Sequence, residues 1–229
     1  MPIFPLDAFN ARLIECRQCP RLTAYREEVA RTRRRAYADC AYWGRPVPSF
    51  GDPMARILVL GLAPGAHGSN RTGRPFTGDG SGDFLFPTLF EAGFASQPCA
   101  TGRDDGMKLH NLWISAVVRC APPANKPTPE EQRTCAAWLD EEISLFPDLR
   151  VVVCLGKIAF DGYLAHRIRT EKSGAKPRPV FAHGAEYRLE DGLHLVASYH
   201  PSLQNTNTGK LTRPMFLSVF QRARVLGEL

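Results

Sequence analysis

The chain has 229 residues, 44% of them hydrophobic and 23% charged, which is enough apolar material for one ordinary domain and too much for a disordered chain. No apolar run approaches the roughly 20 residues that cross a bilayer, and residues 1–7 carry neither the basic stretch nor the apolar core of an export signal, so a cytoplasmic protein without membrane association is expected. Twenty-nine Lys and Arg against 23 Asp and Glu leave a net charge of +6, which favours a polyanion as partner, and seven cysteines, an odd number, point to a reducing compartment over a disulfide framework.

Along the chain, residues 7–19 carry Phe9, Leu13 and Ile14 at helical spacing behind Asp7 as N-cap, predicting a short helix that leads into Cys16 and Cys19. Arg31, Arg33, Arg34 and Arg35 then form a basic cluster that reads first as a solvated helix face. Residues 57–60 are a continuous apolar run closed by Gly61, the pattern of a strand buried on both faces, and runs at 112–118, 151–155 and 193–199 predict further strands. Helical patterns separate them at 81–94, 129–146 and 157–166, and 212–226 predicts a last helix. The helix at 129 has an explicit start, with Thr128 as N-cap, Pro129 at the first helical position and Glu131 closing a capping box. The alternation predicts one α/β domain over 1–229 with a mostly parallel sheet, and residues 173–179 read as a loop within it. Ligands of such sheets bind beyond the carboxyl ends of the strands.

Cys16-x-x-Cys19 lies early, Cys120 follows a strand, and Cys135 sits inside the capped helix. If the first helix packs beside that strand and helix, four thiolates meet, a set that suits zinc or an iron-sulfur cluster without choosing between them. The alternative is that Cys120 and Cys135 are small buried hydrophobes; Cys40, Cys99 and Cys154 read as structural, Cys154 as a buried thiol within its apolar run. The loop after the first strand, residues 61–79, is rich in glycine and suggests a phosphate or sugar cradle, yet it contains neither G-x-x-x-x-G-K-[ST] nor G-x-G-x-x-G. The last strand opens into a polar loop, residues 200–210, with His200 at its mouth.

Taken together, Cys16-x-x-Cys19-Pro20, Gly61-Leu62-Ala63-Pro64, Gly73-Arg74-Pro75-Phe76-Thr77-Gly78-Asp79, the run from Arg119 to Pro127, and His200-Pro201-Ser202 resemble the family 5 (type B) uracil-DNA glycosylases, iron-sulfur members of the uracil-DNA glycosylase superfamily. The likeness runs from Cys16 to Gly209 in the expected order. It implies a three-layer α/β/α sandwich, a [4Fe-4S] cluster on Cys16, Cys19, Cys120 and Cys135, and excision of uracil from DNA by a monomer. It also implies that Phe76 stacks on a base flipped out of the duplex, with Gly61 and Ala63 beside it.

The chemistry then assigns roles. As the glycosidic bond stretches, negative charge grows on the departing base and positive charge on the sugar. His200 suits the donor facing the base, and Asp79 suits the carboxylate that holds water and steadies the sugar cation. Superfamily members commonly carry a polar catalytic residue just after the first glycine of the first motif, but Leu62 and Ala63 stand there, so Asp79 downstream is the candidate, with helix capping as its competing role and Asp83 as a lesser choice. In family 4 relatives an Asn in the strand before the third cluster cysteine reads uracil; Ala116 replaces it here, which implies a permissive pocket open to hypoxanthine and xanthine, with Asn125 as a polar contact. Ser202, Gln204 and Asn205 are expected on the DNA backbone and minor groove, and His67 on the other side or at the sugar. Two rival functions share parts of the pattern: a metal-containing nucleic-acid-binding protein or damage sensor without excision, and a small-molecule hydrolase using residues 61–79.

Overall fold

In a computed structural model, which describes residues 5–170 and 178–229, the expected alternation is present. Strands β1 (Phe50–Gly51), β2 (Ile57–Gly61), β3 (Leu112–Ala116), β4 (Val151–Leu155), β5 (Glu186–Arg188) and β6 (His194–Ser198) form one sheet in the order β1-β3-β2-β4-β6-β5. The four inner strands are parallel and both edge strands antiparallel. β2 and β4 are buried at every position, which is why they read as unbroken apolar runs.

Successive strand residues feed opposite layers. Leu58, Leu60, Trp113, Val152 and Leu195 pack under α1 (Pro5–Leu13), α2 (Pro20–Thr32), α5 (Pro129–Ser144) and α6 (Lys157–Arg169). Ile57, Val59, Ile114, Val153 and Val196 pack under α4 (Gly80–Glu91) and α8 (Arg213–Leu226). The result is the three-layer α/β/α sandwich. Two short helices, α3 (Ser69–Thr72) and α7 (Leu203–Asn207), lie in the loops after β2 and β6. No helix among the described residues is long and apolar enough to cross a membrane.

The N-terminal segment differs from the expectation. The first helix ends at Leu13, Asp7 lies inside its first turn instead of capping it, and Cys19 is the N-cap of α2, a helix that the polar composition of 20–32 concealed. The loop expected at 173–179 lies largely outside the described residues. Cys154 is fully buried in β4 as expected, whereas Cys99 is exposed and so packs no core. The capping box of α5 is formed: Thr128 Oγ1 accepts from the Glu131 amide at 3.2 Å and Glu131 Oε2 accepts from the Thr128 amide at 2.7 Å. That start sets where Cys135 faces. Beyond the end of β3, the Val117 and Val118 amides donate to the Gly61 and Leu62 carbonyls (3.0 and 2.9 Å), so two of the loops at this sheet edge are tied together.

Candidate active site

A cleft of about 880 Å³ opens beyond the carboxyl ends of β2, β3 and β6. Asp79, Phe76 and His200 all line it, as do Gly61, Ala63, Asn125, His67, Ser202 and Gln204. Two loops 120 residues apart in sequence are thus brought together, and they touch: a Cβ placed on Gly80 would lie 2.7 Å from Leu203.

Asp79 does two things. Its Oδ1 caps α4, accepting from the amides of Ser81 (3.1 Å) and Gly82 (3.2 Å), while its backbone is extended. Its Oδ2 is turned toward the glycine loop, so close that a Cβ on Gly68 would lie 2.0 Å away and one on Gly65 2.8 Å away. Burial raises the carboxyl pKa, and the two amide bonds only partly oppose this. Asp83, the lesser choice, is exposed in the first turn of α4 and is not among the cleft-lining residues.

Phe76 occupies left-handed backbone (φ +50), which a bulky residue rarely adopts, and Gly61 makes room for its ring: a Cβ there would meet Phe76 Cζ at 2.9 Å. Its ring lies 5.8 Å from the His200 ring at a tilt of 31°. The loop that carries Phe76 is held by Arg74, buried and bidentate on Asp105 (2.7 and 2.6 Å), with Nε donating to Thr77 at 2.9 Å. That ion pair holds the Asp105 carboxyl well below the usual range. Asp105 carries no signal in the sequence, because its partner is remote.

Burial pushes the His200 pKa down to about 4. At neutral pH it is therefore a neutral imidazole. Asn205, expected on the DNA, instead donates its side-chain amide to the His200 carbonyl at 2.8 Å and is not among the cleft-lining residues; it braces the loop. The residue that sequence reading passed over is Leu203, 57% exposed at the cleft rim between Ser202 and Gln204. Its signal was available: a leucine with no apolar partner in a polar loop.

Asn125 is exposed at the rim on left-handed backbone (φ +56), which Asn tolerates. His67 shares a hydrogen bond with Tyr42 Oη through Nδ1 at 2.9 Å, and burial, with Arg34 and Arg71 nearby, lowers its pKa. Of the basic cluster, Arg34 lines the cleft, next to Tyr37, while the others remain on the exposed face.

On the far side of Arg119, Cys16, Cys19, Cys120 and Cys135 all line one narrow cavity. Arg26 Nη1 donates to Cys120 Sγ at 2.9 Å and the Arg119 amide to Cys135 Sγ at 3.4 Å. Burial pushes the Cys120 thiol up to about 11 and the Cys135 thiol up to about 12, and raises Cys19. Among the described residues no three His, Cys, Asp or Glu side chains converge as a single metal ion requires.

An α/β sandwich whose cleft joins a half-buried carboxylate, a neutral imidazole and an aromatic ring has the parts for holding and cleaving a nucleoside. A family model described as the uracil DNA glycosylase superfamily matches residues 48–224. The chain is 57% identical over 223 residues to a type-5 uracil-DNA glycosylase of Thermus thermophilus, covering 97% of this chain and 99% of that one. It is 48% identical over 221 residues to one of Mycobacterium bovis (96% and 81%), and 29% identical over 176 residues to a type-4 uracil-DNA glycosylase of Thermotoga maritima (76% and 79%). The chain belongs to the uracil-DNA glycosylase superfamily, in its type-5 branch.

Proposed function

We propose that this chain is a monomeric, cytoplasmic DNA-repair glycosylase that hydrolyses the glycosidic bond of uracil, and of other deaminated bases such as hypoxanthine and xanthine, leaving an abasic site. The observation that carries the reading is the meeting of Asp79 and His200, from two distant loops, in one cleft floored by Phe76. The names of the type-5 relatives support uracil as a substrate.

The target nucleotide leaves the stack and its base enters between Phe76 and the Ala63 and Ala116 side. Water forms the new bond to C1′ as the bond to the base nitrogen breaks, the electron pair of that bond leaves with the base, and the proton lost by the water passes to Asp79 Oδ2 and from there to solvent. Being neutral, His200 keeps its proton and donates a hydrogen bond to a base oxygen, a bond that strengthens as the base becomes anionic. Asp79, fixed through Oδ1, presents Oδ2 to water and to the cationic sugar. Deamination replaces an amino group with a carbonyl in each of these bases. With Ala116 offering no amide to read one particular ring edge, a donor on the carbonyl accepts purines as well as pyrimidines.

Leu203 enters the stack where the base left, Ser202 and Gln204 hold phosphate and groove edges, and Arg34 and His67 hold the strand on the opposite rim. The four cysteines hold the [4Fe-4S] cluster. Two features support a cluster: four thiols from three segments face one cavity, and a buried guanidinium already touches one sulfur. When bound, the cluster cross-links the N-terminal segment to α5 and takes no part in hydrolysis.

The test is release of free base from oligonucleotides carrying uracil, hypoxanthine, xanthine or thymine, read by alkali cleavage at the abasic site. Release of uracil and the deaminated purines supports the reading. Release of uracil alone restricts it to uracil, and tight binding with no release overturns it.

A further inference from the structure

Three arginine side chains are fully buried: Arg26, Arg119 and Arg167. Arg119 is paired with the buried Glu142 at 2.5 Å and Arg167 with Asp191 at 2.5 Å. Among the described residues Arg26 is paired least closely. The nearest carboxylate oxygen is on Glu27 at 3.9 Å, that side chain is 42% exposed, and it is engaged by Arg17 at 2.5 and 3.0 Å. What Arg26 does touch is the cysteine cavity: Nη1 donates to Cys120 Sγ at 2.9 Å, Nη2 to the Cys16 carbonyl at 3.1 Å, and Nε is buried without a partner.

A neutral thiol is a weak acceptor, and a buried cation whose nearest carboxylate stands at 3.9 Å and is shared with another arginine is poorly compensated. The arrangement therefore calls for negative charge at the sulfurs. Four thiolates around a [4Fe-4S] core supply it, since the assembly carries net negative charge. We propose that Arg26 is the internal counter-cation of the four-cysteine site, a positioning residue that is not a ligand and that sets the reduction potential of the cluster those cysteines would carry. This rests on the cluster reading above. The same helix reaches the active site, because Tyr25 lines the cleft and the Arg26 carbonyl accepts from the buried Asn70 side chain of α3 at 3.2 Å. The counter-cation and the catalytic loop thus share one support.

The test uses the full chain as purified with its cluster. Iron and sulfide per chain are measured first, then the oxidised-to-reduced ratio during a redox titration, for the parent, Arg26→Gln, Arg26→Lys and Arg17→Gln. Removing the cation and its bond to sulfur makes the added electron less welcome, so Arg26→Gln is expected to raise that ratio at least tenfold at a given potential, a shift of about 59 mV to more negative values for one electron. Arg26→Lys keeps the charge and recovers most of the shift, and Arg17→Gln leaves the ratio unchanged. Should Arg26→Gln fail to fold, the parent labelled with 15N in the arginine guanidino groups gives a nitrogen hyperfine coupling in the reduced cluster. A parent chain without iron overturns the cluster reading. A parent with a full cluster whose potential is the same in Arg26→Gln, or which shows no such coupling, overturns the role of Arg26 alone.

Discussion

The cleft and the cysteine cavity lie on the two sides of Arg119, and they treat charge in opposite ways. In the cleft, burial outweighs its compensation: His200 is driven neutral and the Asp79 carboxyl pKa is raised, although two backbone amides and the charge of Arg71 oppose this. In the cavity, a guanidinium already stands against a sulfur. On the proposed function the contrast has a reason. The cleft would receive charge that appears only in the transition state, so its groups gain by being desolvated beforehand, while the cavity would hold a permanent anion with its cation supplied in advance.

The largest way to break this contrast is to remove the cleft's two groups. Asp79→Ala is expected to slow single-turnover base release by roughly 10²–10⁴, and His200→Ala by roughly 10²–10³. DNA affinity stays within about threefold in both, because groups that act on the transition state contribute little to ground-state binding. Asp79→Asn separates the two roles of that side chain: an amide still caps α4, so stability is kept, but the charge is gone and release falls as in the alanine variant. A loss of stability equal to that of Asp79→Ala, with release intact, would make Asp79 a cap and nothing more.

On the cavity side, Cys120→Ala is expected to abolish the broad visible absorption of the iron-loaded chain, and a variant retaining full iron would remove Cys120 from the ligand set. Gly68→Ala is next in size. The backbone there (φ −98, ψ −100) lies outside the regions that residues with a side chain favour, and the added Cβ would stand 2.0 Å from Asp79 Oδ2, so strain and clash act together and release should drop by about tenfold or more. Gly102→Ala, in open space, is the control.

A smaller effect sharpens the electrostatic side. Excision should show no step near pH 6.5, because His200 stays neutral down to about pH 4; the acid limb belongs to Asp79 and disappears in Asp79→Asn. For stability the sign is fixed by proton counting. Between about pH 6.5 and pH 4 the unfolded chain binds a proton at this histidine that the folded chain does not, so acidification through that window destabilises the fold. Denaturation midpoints of His200→Asn should be flatter there than those of the parent. The smallest effect is expected of Leu203→Ala, a severalfold loss on duplex uracil with little change on single strands, where no stack must be opened.

Much of this was legible in the sequence because it is local. The inner strands are apolar runs buried on both faces, the start of α5 is written in Thr128, Pro129 and Glu131, and the motifs around Asp79 and His200 lie in loops that the alternation places at one sheet edge. What escaped notice depends on distant partners or weak patterning. α2 is mostly polar and starts at a cysteine whose side chain caps nothing. Edge strands of two and three residues leave no periodicity to count. Asn205 looks like a DNA contact until its amide is found on the His200 carbonyl, and Arg26 looks like any helix arginine until Cys120, 94 positions away, is brought to it.

The most direct test is a crystal structure of Asp79→Asn with a uracil-containing duplex. The uracil should lie out of the stack against Phe76, with a carbonyl oxygen about 2.7–3.1 Å from a His200 ring nitrogen and C1′ facing residue 79. A uracil bound elsewhere, or one with residue 79 and His200 on the same side of its glycosidic bond, would contradict the assignment.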